Sequence, residues 1–273
     1  MTPGTAAGAP TATPRRLVEV APGVHVATAV RYTTTSTVLV AADGSCVVVD
    51  PAVTPGEVSG LAAAVQSAGR RVHGGFATHP HWDHVLWADA LGGSPRWATP
   101  ACAAVAARER DALVRAAVDD GEHGERPALR TVGRLTPLAG GVLPWSREVV
   151  VVPYRAHAPG SAALVVADAR TLVAGDVLSD LEVPLLDLDA ADPIGDHLVA
   201  LDALEGAAAV HGVRVVLPGH GHVTDAAGMR RRLAADRDYL EALAAGRAPD
   251  DARLADPWVR GEHDRQTAAL RDR

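Results

Sequence analysis

The chain has 273 residues, of which 48% are hydrophobic and 22% charged, with a formal net charge of -7; this fits a large α/β domain and excludes bulk disorder. None of its 26 basic residues is a lysine, which excludes Schiff-base chemistry and a phosphate-loop lysine. The acidic balance, without a long basic run, argues against nucleic acid and anionic membrane as partners. The densest basic cluster, Arg230, Arg231 and Arg232, shares a helix-like stretch with Asp236 and Asp238 and reads as a solvated face.

Residues 1–16, rich in small side chains and proline, read as a disordered leader that lacks the charged start and apolar centre of a secretory signal. No later stretch is long and apolar enough for a bilayer, so a cytoplasmic protein is expected. From residue 17, LVEV, VHVATAV, TVLVAAD and CVVVD are short β-rich runs separated by turn residues. The segment TPGEVSGLAAAVQSAG predicts a helix with Thr54 as N-cap, Pro55 at its first position and Gly69 at its end.

RVHGGFATHPHWDH then runs an apolar strand into a His-rich loop, with a further helix expected over Val85 to Leu91. Residues 99–130 read as a helical insertion that ends in the polar stretch DDGEHGERPALR. EVVVVPY, SAALVVAD and TLVAG begin a second series of strands, and VRVVLPGHGH adds one more after a helix over Ile194 to Ala209. A last helix is expected from Ala226 to Ala245, with 247–273 a polar tail, so that 17–246 would form one catalytic domain. Cys46 and Cys102 stand in apolar stretches without metal or redox spacing and read as small core residues.

HPHWDH places three imidazoles and a carboxylate within six residues, and a tight loop can turn them towards one point. Imidazole and carboxylate are the donors that zinc and other first-row metals take. A solvated His-rich turn is the bland alternative, disfavoured because the motif ends an apolar strand. His157 in AHAPGSAAL, Asp176 in LVAGDVL and His220 in LPGHGH also flank apolar strands, each beside Gly or Pro. Singly, each reads better as an ordinary loop residue.

Taken in this order, HxHxDH, a His before a Pro-Gly turn, a Gly-Asp pair and a terminal Gly-His resemble the metallo-β-lactamase superfamily over about residues 17 to 224. The resemblance implies an αββα sandwich of two mixed β-sheets flanked by helices. It also implies two divalent metal ions, zinc foremost with iron or manganese as alternatives. His79, His81 and His157 would hold one ion, Asp83, His84 and His220 the other, and Asp176 would bridge them. Asp50, which ends VVVD, matches an acidic position that supports the metal loop.

A metal pair about 3.5–4 Å apart makes a hydroxide from a shared water at neutral pH and polarises a carbonyl. The expected function is therefore hydrolysis of an ester, lactone or thioester in a small-molecule substrate, with Asp83 orienting the nucleophile and moving its proton. The Asp176 pattern looks more like glyoxalase II and the acyl-homoserine lactonases than like true β-lactamases. An iron oxygenase of the persulfide dioxygenase type and a phosphodiesterase or nuclease on the same scaffold are the alternatives. Tyr32, Trp82, Trp87 and Tyr154 are candidate pocket aromatics, although packing is the commoner use of such residues. His222 is a candidate for the leaving group, and His25, His73, His123, His197, His211 and His263 have no partner pattern. Specificity is expected in Thr33 to Ser36, in the 99–130 insertion and in Leu178 to Ile194.

Overall fold

The computed structural model describes residues 14–121 and 129–272. Most of the leader, together with His123 and the middle of the polar stretch after the insertion helices, lies outside them. Arg15 belongs to the described part and is anchored: its guanidinium donates to the carbonyls of Ala52 and Ala27 at 2.7 and 2.8 Å.

Two mixed sheets face each other. The first runs in chain order as β1 (Val18–Ala21), β2 (Val24–Thr28), β3 (Thr35–Val40), β4 (Ser45–Val49), β5 (Arg71–Phe76), β6 (Arg96–Ala98) and β7 (Thr136–Pro137). Its first four strands pair antiparallel and the rest parallel. The second has the order β12-β11-β10-β9-β8, built from β8 (Val150–Pro153), β9 (Ala162–Val166), β10 (Thr171–Gly175), β11 (Val215–Pro218) and β12 (Thr224–Asp225). Only its β10–β11 pair is parallel. Strands β4, β9 and β10 are buried at every residue, which is why they read as continuous apolar runs rather than alternating ones.

Three apolar layers follow from this stacking. Leu39, Val47, Val49, Phe76, Leu164 and Leu217 meet between the sheets. Outside the first sheet, α1 (Pro55–Ser67) and α2 (Pro100–Arg108), with α3 (Arg110–Gly121), cover Val38, Cys46 and Val48. Outside the second, α4 (Pro193–His211), α5 (Ala226–Ala244) and α6 (Pro257–Arg271) cover Val165, Leu172 and Val216. The result is the αββα sandwich. Helix α1 starts in the expected way: Thr54 Oγ1 accepts from the Glu57 backbone N–H while Glu57 takes the Thr54 N–H, a capping box that contributes about 1 kcal/mol. Cys46 and Cys102 are buried free thiols, with burial pushing their pKa values up to about 11 and about 12.

Four expectations need correction. The segment Val85 to Leu91 is not a helix: single 3-10 turns at Trp82–His84 and Asp89–Leu91 flank an irregular stretch. Val85, Leu86, Trp87 and Ala88 are all buried there, so no solvated face exists to give a helical period. The insertion helix breaks at Glu109, which caps α2.

The polar tail is ordered: a 3-10 turn at Ala252–Ala255 leads into α6, whose Val259 joins the outer layer of the second sheet. Arg253 anchors this segment, donating to the carbonyls of Ser179 and Glu182 and to the carboxylates of Asp236 and Asp251. Arg232 likewise leaves the expected solvated face, donating to the carbonyls of Leu178 and His222.

Candidate metal centre

Strands end on one edge of the sandwich, and the turns that follow them carry the chemistry. After β5, the chain turns through His79, His81 and the 3-10 turn holding Asp83 and His84. His157 sits between β8 and β9 with φ of 65°, a left-handed conformation costly for a non-glycine residue and typical of functional turns. Asp176 follows β10 and His220 follows β11. The loop before β3 latches onto the same edge: Thr35 N–H donates to Gly219 O at 2.7 Å, and Thr34 bridges to His220.

All seven residues singled out in the sequence come together. One ligand atom from each of His79, His81, His157 and Asp176 lies within 4.8 Å of the others, and Asp83, His84 and His220 form a second such group. Asp176 touches both. Its Oδ2 is 3.3 Å from His79 Nε2 and from His157 Nε2, and 3.2 Å from His220 Nε2, while Oδ1 is 3.3 Å from His84 Nε2. Asp83 Oδ2 stands 3.3 Å from His220 Nε2 and 3.4 Å from His84 Nε2.

The outer ring nitrogens fix which nitrogen faces inward. His220 Nδ1 donates to Tyr32 O at 3.1 Å, and His157 Nδ1 to Leu185 O at 3.3 Å. His79 Nδ1 lies 3.0 Å from Thr78 Oγ1, which itself donates to Asp50 Oδ2 at 2.6 Å. A proton on Nδ1 leaves the Nε2 lone pair pointing into the cluster. His81 presents Nδ1 to His157 Nε2 at 2.9 Å and to His79 Nε2 at 3.1 Å. Lone pairs aimed at one another over such distances repel, and a shared cation is what makes the arrangement favourable. Asp176 Oδ1 is buried and makes no hydrogen bond among the described residues, with only the 3.3 Å contact to His84 Nε2 beside it. The donor set thus fits two divalent ions of the nitrogen- and oxygen-loving kind.

Electrostatics divide the donor set: burial opposes a charge on His84 and His220, but Asp176 and Asp83 outweigh it and hold both rings well above the ordinary imidazole value, so a metal would displace a proton from each. Burial pushes His79 down to about 4 and holds His81 well below the ordinary imidazole value, so both rings are neutral donors at pH 7. Burial pushes the Asp176 carboxyl up, but His220, His84 and His79 outweigh it and hold it well below the carboxylate range. Asp83 is kept anionic in the same way, chiefly by His84.

Close packing is needed here: a Cβ on Gly219 would collide with Asp176 Oδ1. Residues that the sequence did not single out complete the surroundings. Thr78 relays His79 to Asp50, and Glu182, pushed up to about 7 by burial, stands 3.8 Å from His220 Nδ1. Neither carried a motif signal.

Other candidates fall elsewhere. His222 is exposed and held by Asp180 at 2.9 Å. Trp87 is buried with its indole N–H on Gly92 O, and Trp82 packs against the apolar layer outside the first sheet. Tyr154 donates to Ala174 O and lines a cavity of about 820 Å³ along the backbone beside His157. Tyr32 lines another, of about 600 Å³, next to His220.

A family model for the metallo-beta-lactamase superfamily matches residues 30–222. No curated protein sequence matches the chain. Among solved structures, a metallo-beta-lactamase family protein from Thermus thermophilus is 22% identical, with a TM-score of 0.63 over 84% of this chain and 82% of its own. A beta-lactamase domain protein from Burkholderia ambifaria is also 22% identical, with a TM-score of 0.59 over 84% and 76%. A metallo-beta-lactamase from Hirschia baltica is 19% identical, with a TM-score of 0.53 over 81% and 97%. These likenesses establish a shared fold.

Proposed function

The chain belongs to the metallo-beta-lactamase superfamily, and from that premise we propose that it is a dinuclear metal hydrolase acting on an ester, lactone or thioester of a small molecule. The supporting observation is the placement of Asp176, whose Oδ2 lies 3.2–3.3 Å from His79, His157 and His220, donors of both groups, while its Oδ1 lies 3.3 Å from His84. In this reading His79, His81 and His157 hold one ion, Asp83, His84 and His220 hold the other, and Asp176 is shared. Zinc is the proposed metal, because imidazole and carboxylate are both among its ordinary donors.

Bound ions would supply Lewis acidity, lowering the pKa of water and polarising a carbonyl. The chain's own contribution is orientation and proton handling. Asp83 is anionic and projects Oδ2 between His84 and His220, so it can accept a hydrogen bond from an attacking water and take its proton. Thr78, Asp50 and the carbonyls of Tyr32 and Leu185 lock the imidazoles in place, so little reorganisation is needed during reaction. No helix among the described residues is long and apolar enough to cross a membrane.

The deciding experiment combines metal analysis with a substrate panel. Two zinc ions per chain, with turnover of lactones or thioesters that is lost in His81→Ala, is the expected result. One iron per chain with oxygen uptake would replace the proposal by an oxygenase. Cleavage of phosphodiesters alone would replace it by a phosphodiesterase.

A further inference from the structure

Beside His220, the loop before β3, the loop after β10 and the C-terminal segment enclose a cavity of about 600 Å³, within the range of small-molecule sites. Tyr32, Leu181 and Trp258 line it while remaining 37%, 36% and 48% exposed. Large side chains left open together around a concavity mark a binding surface rather than a core. The cavity meets the metal centre through Tyr32 and Glu182, which line it and stand at the outer nitrogen of His220. The Tyr32 ring meets the His220 ring edge-on at 6.5 Å, and Tyr32 O accepts from His220 Nδ1. Trp258, on the first turn of α6, continues that wall, with its ring 6.4 Å from Tyr32 and tilted by 33°.

Most polar groups of the wall are committed to the protein itself, and the Glu182 carboxyl, 3.8 Å from His220 Nδ1, is pushed up to about 7 by burial, towards its neutral form. Arg253 is consumed by Asp236, Asp251 and two carbonyls. Asp256 caps α6 by accepting the N–H groups of Trp258 and Val259. Asp180 takes both the backbone N–H and the ring of His222. Arg31 lies over the Tyr32 ring, 5.0 Å from its centroid, and donates to its hydroxyl, which braces the ring. Among the described residues, no cation of the wall is left to receive a carboxylate, whereas aromatic and aliphatic surface is free.

We propose that this cavity is the subsite for an uncharged alkyl chain of the substrate, with Trp258 and Tyr32 as its specificity-determining wall. The proposal rests on the hydrolase reading for the identity of the reacting group, but the subsite can be tested by binding alone. Acetohydroxamate and octanohydroxamate present the same metal-binding head to the zinc-loaded protein and differ only in chain length. Calorimetry on the wild type is expected to give a dissociation constant at least ~tenfold lower for the octanoyl compound, a modest return for six added methylenes.

In Trp258→Ala that ratio should fall below about threefold, and Leu181→Asp, on a separate segment of the wall, should lower it likewise. Zinc content of two per chain in each variant checks that the centre is intact. An unchanged ratio in both variants, or no preference in the wild type, overturns the subsite. If the hydroxamate preference holds while no ester, thioester or lactone with an acetyl or octanoyl chain is turned over, the hydrolase reading fails and the subsite stands.

Discussion

His84 Nδ1 lies 3.0 Å from Asp50 Oδ2, on the side of the ring opposite the nitrogen that faces His220 and Asp176. Asp50 adopts φ of 48° to reach this position and also accepts the Thr78 backbone N–H at 2.8 Å. One carboxylate therefore orients donors of both groups, His84 directly and His79 through the Thr78 hydroxyl. Asp50→Asn keeps the size but removes the charge, and it should weaken zinc binding by about 10–100-fold. Competition with a chromophoric chelator measures this; unchanged affinity would reduce Asp50 to a turn residue.

The closeness of Gly219 to Asp176 gives a sharper test of the shared carboxylate. Gly219→Ala puts a methyl group where Asp176 Oδ1 stands, and the strand behind it is fully buried and unable to retreat. Displacement by about an ångström costs on the order of 100-fold in turnover. Zinc content should drop towards one per chain while far-ultraviolet circular dichroism stays native. Full activity in this variant would mean that Asp176 does not need its observed place.

The seven donors were legible because four of them crowd into HPHWDH after an apolar strand, while His157, Asp176 and His220 flank other apolar strands near a glycine or proline that marks a turn. Short-range pattern and chain order sufficed for them. Helix α6 was not legible for a physical reason. Its inward positions are Val259, His263, Gln266 and Leu270, of which two are polar. His263 is satisfied by the Tyr239 hydroxyl at 3.0 Å, and Gln266 donates to Pro184 O and accepts from Leu186 N. A stripe half made of polar residues reads as solvated until their partners, 24 to 82 residues away in sequence, are known. The readable signals were Asp256 and Pro257, an N-cap followed by proline at the first helical position.

Arg147 joins the two sheets far from the metal centre, so its loss should separate stability from chemistry. Its guanidinium donates to Gly23 O, Val40 O and Pro22 O at 2.8–2.9 Å and pairs with Asp168. Arg147→Met keeps the aliphatic stem but leaves those carbonyls without their charged donor. A loss of about 2–3 kcal/mol in urea unfolding is expected, with zinc stoichiometry and kcat retained. A loss below about 0.5 kcal/mol would show that water replaces the guanidinium without cost.

His197, fully buried on α4, has no hydrogen-bond partner for either ring nitrogen among the described residues. Burial, with His157 adding to it, pushes its pKa down from 6.5 to about 3. In the unfolded chain the imidazole takes a proton near 6.5, so below that pH the unfolded state binds more protons than the folded one. Stability from this group is complete above pH 6.5 and is lost as pH falls towards 3, at up to about 1.4 kcal/mol per pH unit. His197→Leu removes the titration, and by deleting a buried unpaired ring it should raise stability at pH 7 by about 1 kcal/mol. Between pH 7 and pH 5 the wild type should lose about 2 kcal/mol more than the variant. Urea unfolding of both proteins in the same chelator-treated state measures the difference, and parallel losses would mean that the folded state protonates His197 as readily as the unfolded chain does.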